Sequence, residues 1–262
     1  MNAWHVLIVF IAAAIAMTFA WLVQVRTRNA GIVDAVWTLG VGASALFYAW
    51  VGSGHLIPRL AVAMLGGIWA SRLSLHIFAR VLSEPEDGRY RYLRAHWHDN
   101  QAKFFGIFIA QAVLIVLFSL PFYAVAQNTR DTLSVWCVIG IAIWIVSIAG
   151  ESIADAQLSA FRKNPRNHGK TCDVGLWRYS RHPNYFFEWL LWFAYVFLSV
   201  ETPMHVWLLS WIGPVLMFIS LRWVTGVPFA EQQALRSRGD NYRAYQRRTS
   251  VLIPWFPKKA DA

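Results

Sequence analysis

The chain has 262 residues, of which 57% are hydrophobic, whereas soluble domains are about 45–50% apolar, and this excess argues against an ordinary soluble domain. The formal net charge is +10, but the basic residues lie in short loops between apolar runs, which favours membrane topology over nucleic-acid binding as their cause. The two cysteines cannot form a disulfide framework.

Seven apolar runs are predicted to cross a membrane, because each approaches the roughly 20 residues that a transmembrane helix needs. They are residues 4–24, 32–53, 59–79, 104–126, 133–157, 184–200 and 204–223. The first run is too long for the apolar core of a signal peptide, so we interpret it as a span. The sequence therefore predicts one all-α domain, residues 1–262, built as a polytopic membrane bundle of about seven transmembrane helices.

The basic residues predict the orientation of this bundle. The loops after the first, third and fifth spans, together with the tail, hold nearly all of the Lys and Arg, whereas the alternate loops hold only Arg59 and Arg130. Because cytoplasmic loops are enriched in Lys and Arg, this asymmetry predicts an external N-terminus and cytoplasmic C-terminal helices.

A glycine-rich stretch in the second span, Gly40–Ala45, matches the dinucleotide-binding pattern G-x-G-x-x-A. It lies inside a predicted span and follows no strand, so we reject that interpretation. Small residues that allow two helices to approach closely explain the stretch better.

The loop from Glu84 to Lys103 mixes both charge signs with aromatic residues and is predicted to contain an interfacial helix. His96 and His98 within it are two residues apart, which does not place them on one helix face. We therefore expect no metal site there.

Ionisable residues within the predicted spans are the first functional signal, since each costs roughly 2.5–3.5 kcal/mol at mid-helix on insertion scales. They all fall in the predicted cytoplasmic halves of the spans, and they are Asp34, Arg72, Glu151, Asp155 and Glu188. One interpretation is a structural ion-pair cluster. The other is a polar cavity, open to the cytoplasm, in which a hydrophilic cofactor meets a lipophilic substrate.

The second signal is the stretch Gly175–Glu188, which runs from a basic loop into the sixth predicted span. Pro183 is suited to a helix start. Arg178, Arg181 and the amides of that helix end would form an anion site, to which His182, Asn184 and Tyr185 add donors. The alternative is an anchor of basic and aromatic residues at the lipid headgroups.

The tail, Phe229–Pro254, reads as a helix that stops at Gly239 and a second short helix with Tyr242 and Tyr245 on one side. Arg248 follows these tyrosines. A basic amphipathic tail lying on anionic membrane lipids is the alternative interpretation.

Both segments resemble the steroid 5-alpha-reductase superfamily, and specifically its bacterial branch of uncharacterised membrane proteins known as DUF1295. The likeness extends from Asn29 to the Leu-Ile-Pro of the tail, and the Arg-His-Pro core is shared with sterol reductases and isoprenylcysteine methyltransferases. The resemblance implies a bundle in a bacterial inner membrane that binds NADPH from the cytoplasm. It also implies that Asp155, Arg162, Asn184 and Glu188 contact the cofactor, and Arg72 resembles an arginine in the third span of these enzymes.

We therefore expect an NADPH-dependent reductase of a C=C bond in a lipophilic enone, with no metal and no nucleic-acid partner. Asp34, if buried and protonated, and Arg72 are the candidate catalytic donors to the substrate carbonyl. The candidate cofactor-binding residues are Glu151, Asp155, Arg162, Arg178, Arg181, His182, Asn184, Tyr185, Glu188, Tyr242, Tyr245 and Arg248. On this interpretation, Arg181→Ala weakens nucleotide binding without unfolding the protein.

Two alternatives remain open. An S-adenosylmethionine-dependent methyltransferase acting on a lipid or prenyl thiol would use the same tail, although its cofactor has no phosphate to occupy the arginines. A scaffold that holds anionic lipid would not be an enzyme, and Glu151, Asp155 and Glu188 argue against it because they would repel lipid phosphate.

Overall fold

The computed structural model describes residues 2–258, and the predicted domain of residues 1–262 extends beyond them at both ends. Regular structure in the described part is helical, apart from one parallel bridge between Ser180 and Ser250. The α-helices are α1 Ala3–Thr27, α2 Ile32–Val51, α3 Leu56–Ser83, α4 Gly88–His96, α5 Gln101–Ala126, α6 Val135–Lys163, α7 Pro183–Leu198, α8 Met204–Ser210, α9 Ile212–Ile219, α10 Val227–Arg238 and α11 Asp240–Arg248. The all-helical class is confirmed.

Side-chain caps define where several helices begin. Asp87 accepts a hydrogen bond from the backbone amide of Arg89 and starts α4, within the segment where a loop helix is predicted. Asn100 accepts from the amides of Ala102 and Lys103 and starts α5. These polar caps separate the apolar runs on either side of them.

Six helical stretches of the described chain are long and apolar enough to cross a membrane. Five are α1, α2, α3, α5 and α6, and the sixth is the continuous stretch Met204–Arg238. The remaining predicted span, residues 184–200, coincides with α7, whose 16 residues fall short of the roughly 20 that a full crossing needs. A multi-pass membrane protein is confirmed, but the count of seven spans is not.

The chain divides into two compact units. The N-terminal unit comprises Met1–Cys137 and Tyr195–Gly213, and the C-terminal unit comprises Val138–Ala194 and Pro214–Ala262.

Within the N-terminal unit, small residues bring α2 and α3 together. A Cβ atom built on Gly42 would lie 2.2 Å from the Cβ of Ala70, and one built on Gly66 would lie 2.6 Å from the Cβ of Ala45. Each glycine therefore faces an alanine of the other helix, which confirms the packing interpretation of the Gly40–Ala45 stretch.

Within the C-terminal unit, α6 is held against both α7 and the loop that precedes α7. A Cβ on Gly150 would lie 2.4 Å from the ring of Phe187, so the two helices touch at this glycine. The indole of Trp177 donates to the carbonyl of Ala154 at 2.8 Å, and the amide of Leu176 donates to the side chain of Gln157 at 2.9 Å. The loop is thereby fixed to the last turns of α6.

Candidate functional site

The loop before α7 is joined to the C-terminal tail by main-chain hydrogen bonds. The amide of Arg181 donates to the carbonyl of Ser250 at 2.8 Å, and the amide of Trp255 donates to the carbonyl of Tyr179 at 2.9 Å. The Ser180 hydroxyl donates to the carbonyl of Leu252 at 2.7 Å. Two segments about 70 residues apart in sequence thus form one clasp, which we define as residues 179–181 with 250–255.

Arg181 is the buried centre of this region. Its side chain is only 9% exposed, and its Nε donates to Glu231 at 2.7 Å. Its Nη1 donates to the carbonyls of Gln246 and Thr249 at 2.8 and 3.0 Å, at the C-terminal end of α11, where a positive charge is favourable. The guanidinium predicted to bind phosphate therefore joins α10, α11 and the clasp.

Glu231 on α10 was not among the predicted site residues, although it organises the region. Its carboxylate accepts from Arg181, from the Gln246 amide at 2.9 Å and from the Tyr242 hydroxyl at 3.4 Å. Its Oε1 also lies 3.4 Å from the Nε2 of His182. The sequence offered one indication of this role, because Glu231 is the sole acidic residue of α10 within a basic tail.

His182 and the two tail tyrosines are packed rather than open to solvent. The imidazole stacks on Tyr185 with ring centroids 5.2 Å apart, and burial lowers the pKa of His182, which favours the neutral ring. Burial raises the pKa of Tyr242 and of Tyr245, which favours their protonated forms. The Tyr245 hydroxyl donates to the carbonyl of Ser180 at 3.1 Å, so this tyrosine supports the clasp.

A polar pair links α6 to α7 one turn from the buried acids. The side-chain amide of Asn184 donates to the Asp155 carboxylate at 3.2 Å, which fixes both predicted cofactor residues. Glu151, one turn further along α6, is 7% exposed, and Glu188, one turn along α7, is 9% exposed. The predicted acids of the C-terminal unit thus occupy the two neighbouring helices that this pair joins.

The basic residues beside these helices differ in whether they have partners. Arg248 forms an ion pair with Asp173. Arg162 and Arg178 are exposed, and within residues 2–258 neither side chain makes a hydrogen bond or an ion pair. Burial raises the pKa of the Cys172 thiol, whereas the positive charges of Arg162 and Arg238 act to lower it.

The two predicted catalytic residues belong to the N-terminal unit. Asp34 accepts from the Arg89 guanidinium at 2.8 Å and from the Tyr90 hydroxyl at 2.9 Å, and Arg89 also lies over the Tyr90 ring. Each oxygen of the Asp34 side chain thus accepts a hydrogen bond from a residue of α4. Burial raises the pKa of Tyr90 well above its usual value, so the phenol keeps its proton. Arg72 is half-buried on α3.

The described residues contain no group of three or more His, Cys, Asp or Glu side chains placed to hold a metal ion.

Comparisons with known proteins identify relatives without a known activity. The family described as "Protein of unknown function (DUF1295)" matches residues 20–249. An uncharacterized protein of Schizosaccharomyces pombe is 25% identical over an alignment of 264 positions. The alignment covers 89% of this chain and 75% of that protein. No solved structure matches the chain significantly.

Proposed function

The chain belongs to the DUF1295 family, and we propose that it is a membrane-embedded, NADPH-dependent reductase of a C=C bond in a lipophilic enone. The proposal takes the family to be a branch of the steroid 5-alpha-reductase superfamily, which the Arg-His-Pro-Asn stretch at Arg181–Asn184 resembles. The observation that carries it is the set of polar groups where α6 and α7 meet the loops.

That set combines two kinds of group that a nucleotide needs. Arg162 and Arg178 have no carboxylate partner among the described residues, so their charges are available to phosphate oxygens. The Asp155–Asn184 pair offers a carboxylate and an amide, which suit ribose hydroxyls or a carboxamide. S-adenosylmethionine has no phosphate, so the arginines favour NADPH over it.

NADPH, when bound, supplies a hydride, and the protein's task is then to bind, orient and stabilise charge. Arg72 on α3 stays a proposed catalytic group, on its resemblance to the arginine in the third span of steroid 5-alpha-reductases. Asp34 is proposed to hold Arg89 and Tyr90 in place through its two hydrogen bonds.

We expect Arg162→Gln to lower the affinity for NADPH about tenfold or more, because a charge-assisted hydrogen bond to phosphate contributes roughly 1.5–3 kcal/mol. Arg166→Gln is the matched control, since Arg166 is also exposed and basic and lies four residues later, in the short helical turn that follows α6. Affinity is measured from the rise in melting temperature on titration, where a ligand at 100 times its dissociation constant adds about 2.7 kcal/mol.

Titrations with NADH and with S-adenosylmethionine complete this experiment. Stabilisation by S-adenosylmethionine alone would replace the reductase with the methyltransferase. Equal loss of NADPH affinity in Arg162→Gln and Arg166→Gln would refute the site, because a general reduction of positive charge would then explain both.

We also propose that the C-terminus lies in the cytoplasm of a bacterial cell, on the evidence of the Lys and Arg asymmetry. Full-length chains fused at the C-terminus to green fluorescent protein should fluoresce, and chains fused to alkaline phosphatase should be inactive. Active phosphatase with dark fluorescent protein would reverse the proposed orientation.

A further inference from the structure

Among the described residues, one buried hydroxyl side chain in the α-helices departs from the pattern of the others. Five such hydroxyl groups donate to a carbonyl three or four residues earlier in their own helix, and they are those of Thr38, Ser44, Ser74, Ser119 and Ser210. Ser147 on α6 is fully buried, yet its hydroxyl makes no hydrogen bond within the described residues. It therefore lacks the hydrogen bond to a carbonyl of the preceding turn that serines in helices commonly make.

A second donor without a partner stands one turn away. Trp144 is 8% exposed, and its indole nitrogen also lacks a hydrogen-bond partner within the described residues. Residues three apart lie side by side on a helix, so the two groups share one face of α6. Leaving two buried polar groups unsatisfied is destabilising, so each calls for an explanation.

The position of this pair restricts what could satisfy it. Ser147 is 12 residues from the start of α6 at Val135 and 16 from its end at Lys163, or about 18 and 24 Å along the helix. It therefore lies near the middle of the span, away from water. A ligand that reaches it must be lipophilic.

The chemistry of the pair restricts the ligand further. An indole N–H donates and never accepts, so the ligand atom must be an acceptor. An anion is disfavoured, because it would be buried in an apolar span one turn from Glu151. An uncharged oxygen, as in a ketone, meets both conditions.

We propose that Ser147 and Trp144 bind the carbonyl oxygen of a neutral, lipophilic ligand within the apolar part of the C-terminal unit. The assignment deepens the proposed function, on which it rests for the view that this ligand is a substrate. It assigns the carbonyl oxygen of the proposed enone to two side chains of α6 and gives this helix a part in selecting the substrate.

The test measures ketone binding without any cofactor, in lipid nanodiscs, with empty nanodiscs subtracted. Two probes are used, tritiated cyclopentadecanone and laurone, and the hydrocarbons cyclopentadecane and tricosane compete against them. We expect at least one ketone to bind about tenfold more tightly than the hydrocarbon of the same skeleton, as one or two buried hydrogen bonds imply.

Ser147→Ala and Trp144→Phe should each remove most of that preference. Ser152→Ala is the matched control, because Ser152 is an exposed serine of α6 that bonds to the carbonyl of Ile148 at 2.7 Å, and it should keep the preference. Ser147→Ala should leave the melting temperature unchanged, because the hydroxyl it removes makes no bond in the protein.

Three results would overturn the assignment: no ketone preference in the wild-type protein, an equal preference in Ser147→Ala, or a melting temperature lowered by Ser147→Ala but not by Ser152→Ala. If ketone binding is retained but NADPH does not stabilise the protein, the proposed reductase function is refuted and the ketone site is still supported.

Discussion

Replacing Arg181 with alanine is expected to lower the free energy of unfolding of the C-terminal unit by about 3–5 kcal/mol. The substitution removes three hydrogen bonds and leaves the Glu231 carboxylate without its main countercharge. It also opens a hole where a side chain only 9% exposed joined α10 to the end of α11. This result would differ from the sequence-based expectation, in which Arg181→Ala weakened nucleotide binding alone.

Thermal or chemical unfolding in detergent measures the effect, and proteolysis of the tail locates it. Arg178→Ala is the matched control, because Arg178 lies three residues away, is exposed and its side chain makes no hydrogen bond within the described residues. It should change the stability by no more than about 0.5 kcal/mol. If Arg181→Ala is as stable as Arg178→Ala, the Arg181 guanidinium does not stabilise the tail. The prediction that Arg181 binds phosphate would then be favoured again.

The second large effect is expected where α2 and α3 cross. Gly42→Ala should destabilise the N-terminal unit by about 1–3 kcal/mol, the usual range for overpacking. The new methyl group would lie 2.2 Å from the Cβ of Ala70, and neither group can rotate away, so the helices themselves must separate.

Gly67→Ala provides the comparison, because a Cβ there meets only the side chain of Leu46, at an ordinary 3.8 Å. That variant should be neutral or up to about 1 kcal/mol more stable, as expected when alanine replaces glycine within a helix. Melting temperatures of the two variants, measured in the same detergent, decide the matter. Equal stability would show that the helices can separate at little cost.

The helices could be predicted because the information is local. Apolar runs of sufficient length give α1, α2, α3, α5 and α6. The tight crossing of α2 and α3 was also visible, since the small residues stand together in one short stretch. The predicted sixth span was harder to judge, because residues 185–198 are mostly apolar, yet the helix has only 16 residues and ends at Leu198.

The site was less predictable because its partners are distant in sequence. Arg89 bonds to Asp34 across 55 residues, and Glu231 bonds to Arg181 across 50. The sequence contains no pattern that shows which acid on a remote helix will contact a given basic residue. The sequence could therefore identify Arg181 as a special residue but could not show that its charge is used internally.

The tail tyrosines illustrate the same limit in another form. Helix periodicity placed Tyr242 and Tyr245 on one side of α11, where the tail was expected to contact a cofactor. Both are buried, and they pack with Ala234 of α10 into a small core of their own. Periodicity defines a shared face, but what covers that face is decided by the fold.

The clasp between residues 179–181 and 250–255 also has a consequence for biosynthesis. Residues 250–255 are synthesised about 70 residues after residues 179–181, so the loop before α7 must wait for them before the clasp can form. A chain interrupted after Arg248 would carry every predicted site residue but would lack the segment that Ser180 and Arg181 bond to. Shortened products that end before residue 250 would thus expose an unfinished site to the cell's proteases.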